Sequence, residues 1–196
     1  MYISDIRETE KLWDLIYPDL PETRKEKIRR LKAREEQLRS AAAGFLIRRI
    51  LGIDEDRDII TNEFGKPLVR EGALPPARSF FSLTHGGNYA ALEVGGISTG
   101  IDTEEILEFP GSIFRRCFLE DEKEWVLRGD YNERCYAVWT MKESIMKADG
   151  HGISMDPKSF SVFSGEWNTW YRIHDGHMFA CASKGEVKEE LMQISP

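Results

Sequence analysis

Cysteine is scarce in this 196-residue chain, and the three present, Cys117, Cys135 and Cys181, form no C-x-x-C pair. An odd number cannot all pair within one chain, which argues against a disulfide framework, and the spacing argues against structural zinc. Such usage fits a reducing, intracellular compartment. Long apolar runs are missing too. The longest, around Ala41 to Ile47, falls far short of the roughly 20 residues that cross a bilayer. The segment Met1 to Glu10 has neither a basic nor an apolar signal region, so no secretory leader is expected. A cytoplasmic protein with no membrane partner follows as the expectation. Basic charge is also in deficit: 27 Lys and Arg stand against 34 Asp and Glu, a formal net charge of −7. Nucleic acid is therefore excluded as a general partner, because it needs a basic surface to displace counterions. An anionic ligand in a local basic pocket remains compatible.

What the chain does have is apolar material for a core, with 41% hydrophobic and 11% aromatic residues, and this sets aside global disorder. Residues 8–16 and 21–51 read as helices, the second with apolar positions at Ile28, Leu31, Leu38, Ala42, Phe45 and Leu46 and a stop at Gly52. A Pro- and Gly-rich stretch from Gly65 to Pro76 reads as turns and loop. Two short strands follow, Phe80 to Thr84 and Tyr89 to Val94, with a bend at Gly86-Gly87-Asn88, and a third run ends at Glu104. Helices are expected again at 111–118, 120–128 and about 133–148, then strands at 160–163, 167–174 and 177–183. Helices then strands, twice, imply an α+β protein of two similar halves joined near residue 100.

Two carboxylates at alternate positions, Asp102 and Glu104, are the strongest chemical signal. On a strand they share one face. Their mutual repulsion is relieved by a cation or by solvent, and a hard cation such as Mg²⁺ suits an oxygen pair beside substrate phosphates. A solvated strand end is the plainer alternative. Trp139, Glu143 and Lys147 stand four apart on one helical line beside the apolar stripe of Val138, Met141, Ile145 and Ala148. That line is either a surface Glu–Lys pair or a carboxylate and an ammonium aimed into a cleft. Thr84 and His85 offer a hydroxyl and an imidazole to a phosphate oxygen. Gly65-Lys66-Pro67 is a turn through which backbone can approach a ligand.

In this order, Phe64-Gly65-Lys66-Pro67, Thr84-His85-Gly86, Gly100-Ile101-Asp102-Thr103-Glu104 and Trp139 through Lys142-Glu143 to Lys147 resemble the 4′-phosphopantetheinyl transferases. The resemblance is to their longer, surfactin-synthetase-activating type and spans roughly residues 64–153. It implies a pseudo-dimer with its active site in the cleft between halves, residues 1–100 on the nucleotide side of coenzyme A and 101–196 carrying the metal and the catalytic helix. It further implies a monomer that uses Mg²⁺ and coenzyme A to modify an acyl, peptidyl or aryl carrier protein. By the same resemblance Asp102, Glu104 and Glu143 hold the metal, Glu143 acts as ligand or base, and Lys147 meets the phosphates. Coenzyme A would meet Arg39, Lys66, Pro67, Thr84, His85, Lys142 and Lys147. Arg24 and Lys27 are either a second source of charge for its 3′-phosphate or a solvated helix face. Glu122, or Glu120 or Glu124 in the same acidic run, matches an acidic residue near the metal and acceptor, or the run simply begins a solvated helix. The segment Phe109 to Phe118, with Ile113, Phe114, Arg115 and Arg116, is a candidate carrier-docking helix unless its phenylalanines pack inward. Another Mg²⁺-dependent phosphoryl-group enzyme and a catalytically silent carrier-binding protein are the rival readings.

Overall fold

The computed structural model describes residues 1–53 and 55–196. In chain order the elements are β1 (Tyr2–Asp5), α1 (Ile6–Lys11), α2 (Trp13–Asp19), α3 (Glu22–Arg30), α4 (Arg34–Leu46), α5 (Glu55–Asp58), β2 (Ile59–Thr61), β3 (Pro67–Val69), β4 (Phe80–Gly86) and β5 (Tyr89–Gly95). Then come β6 (Thr99–Glu105), α6 (Gly111–Cys117), α7 (Glu120–Val126), α8 (Tyr131–Asp149), β7 (Asn168–His174), β8 (His177–Ser183) and β9 (Met192–Gln193). The α+β class agrees with the sequence reading.

The two main sheets repeat one plan. In the first, β1 leads through helices to the hairpin β4–β5, and the order is β4-β5-β1-β9; in the second, β6 leads through helices to the hairpin β7–β8, and the order is β6-β8-β7. In both, the last strand of the hairpin lies between its partner and the opening strand, antiparallel to each. The longest helix of each unit covers its sheet. Leu38, Ala42 and Leu46 of α4 pack with Phe81, Ala90 and Leu92, while Val138, Met141 and Ile145 of α8 pack with Met178, Ala180 and Ala182. A boundary at residue 100 falls inside β6 and also separates β9 from the first sheet. The tail strand β9 returns to pair in parallel with β1, Tyr2 opposite Met192.

The sheets meet where β4 lies beside β6. Ile101 N–H donates to Ser82 Oγ at 3.1 Å, and a shared cluster of Ile3, Tyr89, Ala91, Ile101, Trp170, Phe179 and Cys181 fills the seam. The packing of α8 on β6 is closer than side chains normally permit. A Cβ added to Gly100 would stand 2.0 Å from Ser144 O and 2.4 Å from Ala148 N. The helix backbone thus rests on the strand itself, and Ser144 Oγ donates to Ala180 O at 3.1 Å to pin it to β8.

Several local expectations needed revision, among them the stretch read as turns and loop from Gly65 to Pro76, which contains strand β3 paired with β2. The helix expected over 21–51 is broken at Leu31, whose extended backbone (ψ 131°) ends α3 before α4 begins, while Gln37 Nε2 donates back to the Leu31 carbonyl. The helix expected over 8–16 is split between α1 and α2 at Leu12. Residues 160–163 form no strand; Val162 N–H is taken instead by the Glu122 carboxylate.

Gly100→Ala has no side-chain rotation that relieves it, because the obstructing atoms are backbone. It is expected to destabilise by at least about 3 kcal/mol, a fall in Tm of roughly 6–12 °C in a domain of this size. Calorimetric melting of the variant with an unchanged Tm would contradict the close approach of α8 and β6.

Candidate active site

Three elements bring their polar groups to one point beside the seam. Lys147 of α8 reaches past Glu143, four residues earlier on its own helix, to Asp102 Oδ1 on β6 at 2.7 Å. It also donates to Thr84 Oγ1 on β4 at 3.0 Å, and Thr84 Oγ1 donates to the same Asp102 oxygen at 3.1 Å. The simple surface Glu–Lys pair is thereby set aside. Asp102 is buried, and its Oδ2 has no hydrogen-bond partner, a state that costs free energy unless something completes it.

Glu104 and Glu143 flank this carboxylate. Burial first, then the charges of Asp102 and Glu143, push the Glu104 carboxyl up to about 7, with Lys147 opposing. Burial and Asp102 raise Glu143 as well. Such shifts mark carboxylates crowded together away from bulk water. An all-oxygen donor set with one unpartnered buried oxygen suits a hard cation such as Mg²⁺. As the side chains stand, no three His, Cys, Asp or Glu groups among the described residues are placed to hold a metal ion.

A group of basic side chains gathers around His85, on the other face of β4. Adjacent strand residues point to opposite faces, so Thr84 and His85, expected to act on one phosphate, are divided. His85 is partly solvent-accessible beside Lys27 and Arg39. Protein packed around it, then the charges of Lys27, Arg39 and Lys147, hold its pKa below the usual histidine value. Arg39, half-buried on α4, donates to the Gly87 carbonyl at 2.9 Å. Arg24 is buried rather than solvated, and burial lowers its pKa to about 10. Lys27 is exposed, its pKa lowered by partial burial and by Arg24.

Between the seam and the turn of residues 64–67 lies a pocket of about 290 Å³ lined by Phe64, Lys66, Pro67, Phe81, Lys147 and Gly150 among others. Lys66 lines it with its stem, whereas its ammonium is engaged by Ser98 Oγ at 2.9 Å, Thr99 O at 3.4 Å and Ala148 O at 3.1 Å. It ties the start of β6 to the end of α8. The turn is organised by Asn62, overlooked in the sequence reading. Its Oδ1 accepts from Phe64 N–H and Lys66 N–H, and its Nδ2 donates to Gly150 O. An Asn opening a Gly-containing turn is the available signal for this role.

Comparison with known proteins places this geometry in a family. Residues 98–193, which include β6, α8 and the carboxylates, match the model of the 4′-phosphopantetheinyl transferase superfamily. The chain is 30% identical to 4′-phosphopantetheinyl transferase Sfp of Bacillus subtilis (strain 168) over 212 residues, covering 96% of this chain and 91% of that protein. The chain belongs to the 4′-phosphopantetheinyl transferase superfamily. Its similarity extends to 4′-phosphopantetheinyl transferase ffp of Bacillus subtilis, at 26% over the same shares of both chains. It also extends to 4′-phosphopantetheinyl transferase gsp of Aneurinibacillus migulanus, at 27% identity over 69% of this chain and 58% of that protein.

Within this member of the superfamily, the lysine expected to reach coenzyme A is instead a core residue. Lys142 is fully buried, paired with Glu122 Oε1 at 2.8 Å, and donates to Pro157 O at 2.7 Å and Phe160 O at 2.9 Å. Burial lowers its pKa, and Glu122 opposes the shift. Neither reading of Glu122, near the metal or solvated, survives. It is fully buried, its Oε2 accepts from Leu119 N–H at the start of α7, and its Oε1 accepts from Val162 N–H. The candidate docking helix is also corrected in part. Phe109 and Phe118 lie in the core with Ile113 and Phe114 packed against them, leaving Arg115 and Arg116 exposed.

Lys142→Met strands the Glu122 charge in the interior and is expected to destabilise by about 3–5 kcal/mol. Glu122→Gln combined with Lys142→Met should recover most of that loss, since no lone charge stays buried. Equal urea unfolding midpoints for Lys142→Met and the parent would contradict the internal role.

Proposed function

We propose that the protein transfers the 4′-phosphopantetheine group of coenzyme A to a serine of an acyl, peptidyl or aryl carrier protein, as a Mg²⁺-dependent monomer. The observation that carries this reading is the convergence of Thr84, Asp102 and Lys147, with Glu104 and Glu143 adjoining, at the junction of two sheets built on one plan. The superfamily membership supports it. In this reading residues 1–100 supply the nucleotide side and 101–196 the metal and the catalytic helix. The exposed or half-buried cations Lys27 and Arg39, with His85, suit the 3′-phosphate, and the pocket at Pro67 and the stem of Lys66 suits the nucleotide.

Asp102, Glu104 and Glu143 would hold Mg²⁺, which when bound would neutralise charge on the pyrophosphate. Lys147 then stands free to exchange its contact with Asp102 for a phosphate oxygen, stabilising charge as it develops. Glu143 accepts the proton of the carrier serine, directly or through water. The serine oxygen bonds to the β-phosphorus, the bridging P–O bond breaks, and adenosine 3′,5′-bisphosphate leaves. Arg115 and Arg116, exposed on α6, offer positive charge to an acidic carrier beside the otherwise acidic protein.

Intact-protein mass spectrometry of an apo carrier incubated with this protein, coenzyme A and Mg²⁺ should show the gain of one phosphopantetheine, abolished by EDTA. Asp102→Ala and Glu143→Ala should each remove transfer and leave the fold intact. Absence of any gain on fatty-acid, polyketide and peptide carriers alike, or full activity in either variant, would overturn the assignment.

A further inference from the structure

The turn joining β4 to β5 is held by three separate elements. Asn88 C=O accepts from Ile6 N–H at 2.9 Å, Gly87 C=O accepts from Arg39 Nη1 at 2.9 Å, and Asn88 N–H donates to His177 Nε2 at 3.1 Å. His177 belongs to β8 of the opposite sheet and is buried. Because an N–H points into Nε2, that nitrogen carries no proton. The ring proton therefore sits on Nδ1, 2.7 Å from the Asp175 carbonyl that accepts it. Tyr89 meets the imidazole edge-on, with centroids 5.0 Å apart and planes at 81°, so the ring is fixed in orientation as well as in tautomer.

The turn is shaped to receive this ring. A Cβ at Gly87 would stand 2.1 Å from His177 Nε2, and Gly87 has φ +49°. Glycine is what permits the imidazole to close on the backbone. On the far side of the same residue, the Gly87 carbonyl carries Arg39. The route from a buried histidine of the second sheet to a cation of the first thus passes through the one peptide unit that joins Gly87 to Asn88.

We infer that His177 is a positioning residue for coenzyme A. By fixing residues 87 and 88, it holds the Gly87 carbonyl where it anchors the Arg39 guanidinium beside His85, ready for the terminal phosphate. The inference rests on the coenzyme A reading proposed above. One guanidinium N–H spent on a rigid carbonyl leaves the rest of the fork oriented for an anion, and preorganisation of this kind acts on affinity. The carboxylates and Lys147 lie on the other face of β4, so loss of the clamp should spare the chemical step.

Two variants and two readouts separate this role from simple packing. His177→Phe keeps a ring against Tyr89 and removes the acceptor, whereas His177→Gln places an amide oxygen near the position of Nε2. In the ligand-free protein, exchange of the Asn88 amide followed by NMR should speed up by about tenfold or more in His177→Phe and stay close to the parent in His177→Gln. In the carrier assay, His177→Phe should raise KM for coenzyme A by roughly five- to tenfold with kcat within about twofold. The Gln variant should restore KM, and His177→Phe should add nothing on top of Arg39→Ala. Parent-like Asn88 exchange in His177→Phe, an unchanged KM, or effects that multiply with those of Arg39→Ala would overturn the inference. A parent protein that neither binds nor consumes coenzyme A overturns the reading beneath it and the role given to Arg39, while the exchange rates still decide whether His177 clamps the turn.

Discussion

A helix lying on the bare backbone of a strand sets the geometry of everything else. At Gly100 the peptide of β6 is roofed directly by Ser144 and Ala148 of α8. Two residues along the strand stands Asp102, and within the same turn of the helix stand Glu143 and Lys147. A side chain at position 100 would lift the helix away, and Lys147 would lose the 2.7 Å contact with Asp102. The site is therefore a property of the α8–β6 interface, and the hydrophobic stripe of α8 that packs on β8 holds that interface closed.

The acidic chain manages its charge by place. Two ion pairs of α8 have opposite meanings. Lys142–Glu122 is sealed in the core, with every polar atom of the pair engaged by backbone around residues 119 and 157–162. It specifies how α7 and the loop before β7 seat on α8. Lys147–Asp102 is partly open, leaves one Asp102 oxygen unpartnered, and sits among carboxylates pushed toward their neutral form. The first pair gains nothing by exchanging partners, whereas the second gains from any ligand that brings both a cation and phosphate oxygens. Basic groups that face outward, Lys27 and Arg39 beside His85, collect on the opposite face of β4. One strand thereby separates two charge environments.

Much of this was legible in the sequence where periodicity carries the information. The alternation that puts Asp102 and Glu104 on one face, the stripe of α8 and the hairpins β4–β5 and β7–β8 follow from local spacing. In sequence, Lys142 looks like part of a polar line because it stands next to Glu143. Its burial is decided by a carboxylate 20 positions earlier and by carbonyls at 157 and 160, none of which leaves a local trace. Thr84 and His85 look like one unit in sequence, although strand geometry sends neighbours to opposite faces. His177 has little context in sequence because its partner is a backbone amide 89 positions away. The break at Leu31 leaves little trace in sequence since the residues around it are good helix formers; its carbonyl turns instead to the Gln37 side chain six residues on.

The proposed transfer requires a divalent cation and coenzyme A to complete one another at the Asp102–Lys147 junction. Titration calorimetry of coenzyme A into the protein, with Mg²⁺ and then with EDTA, tests it without any carrier. Binding that strengthens with Mg²⁺ in the parent and loses that dependence in Asp102→Asn agrees with the account. Binding of equal strength with and without the metal, or a Mg²⁺ dependence that survives in Asp102→Asn, contradicts it.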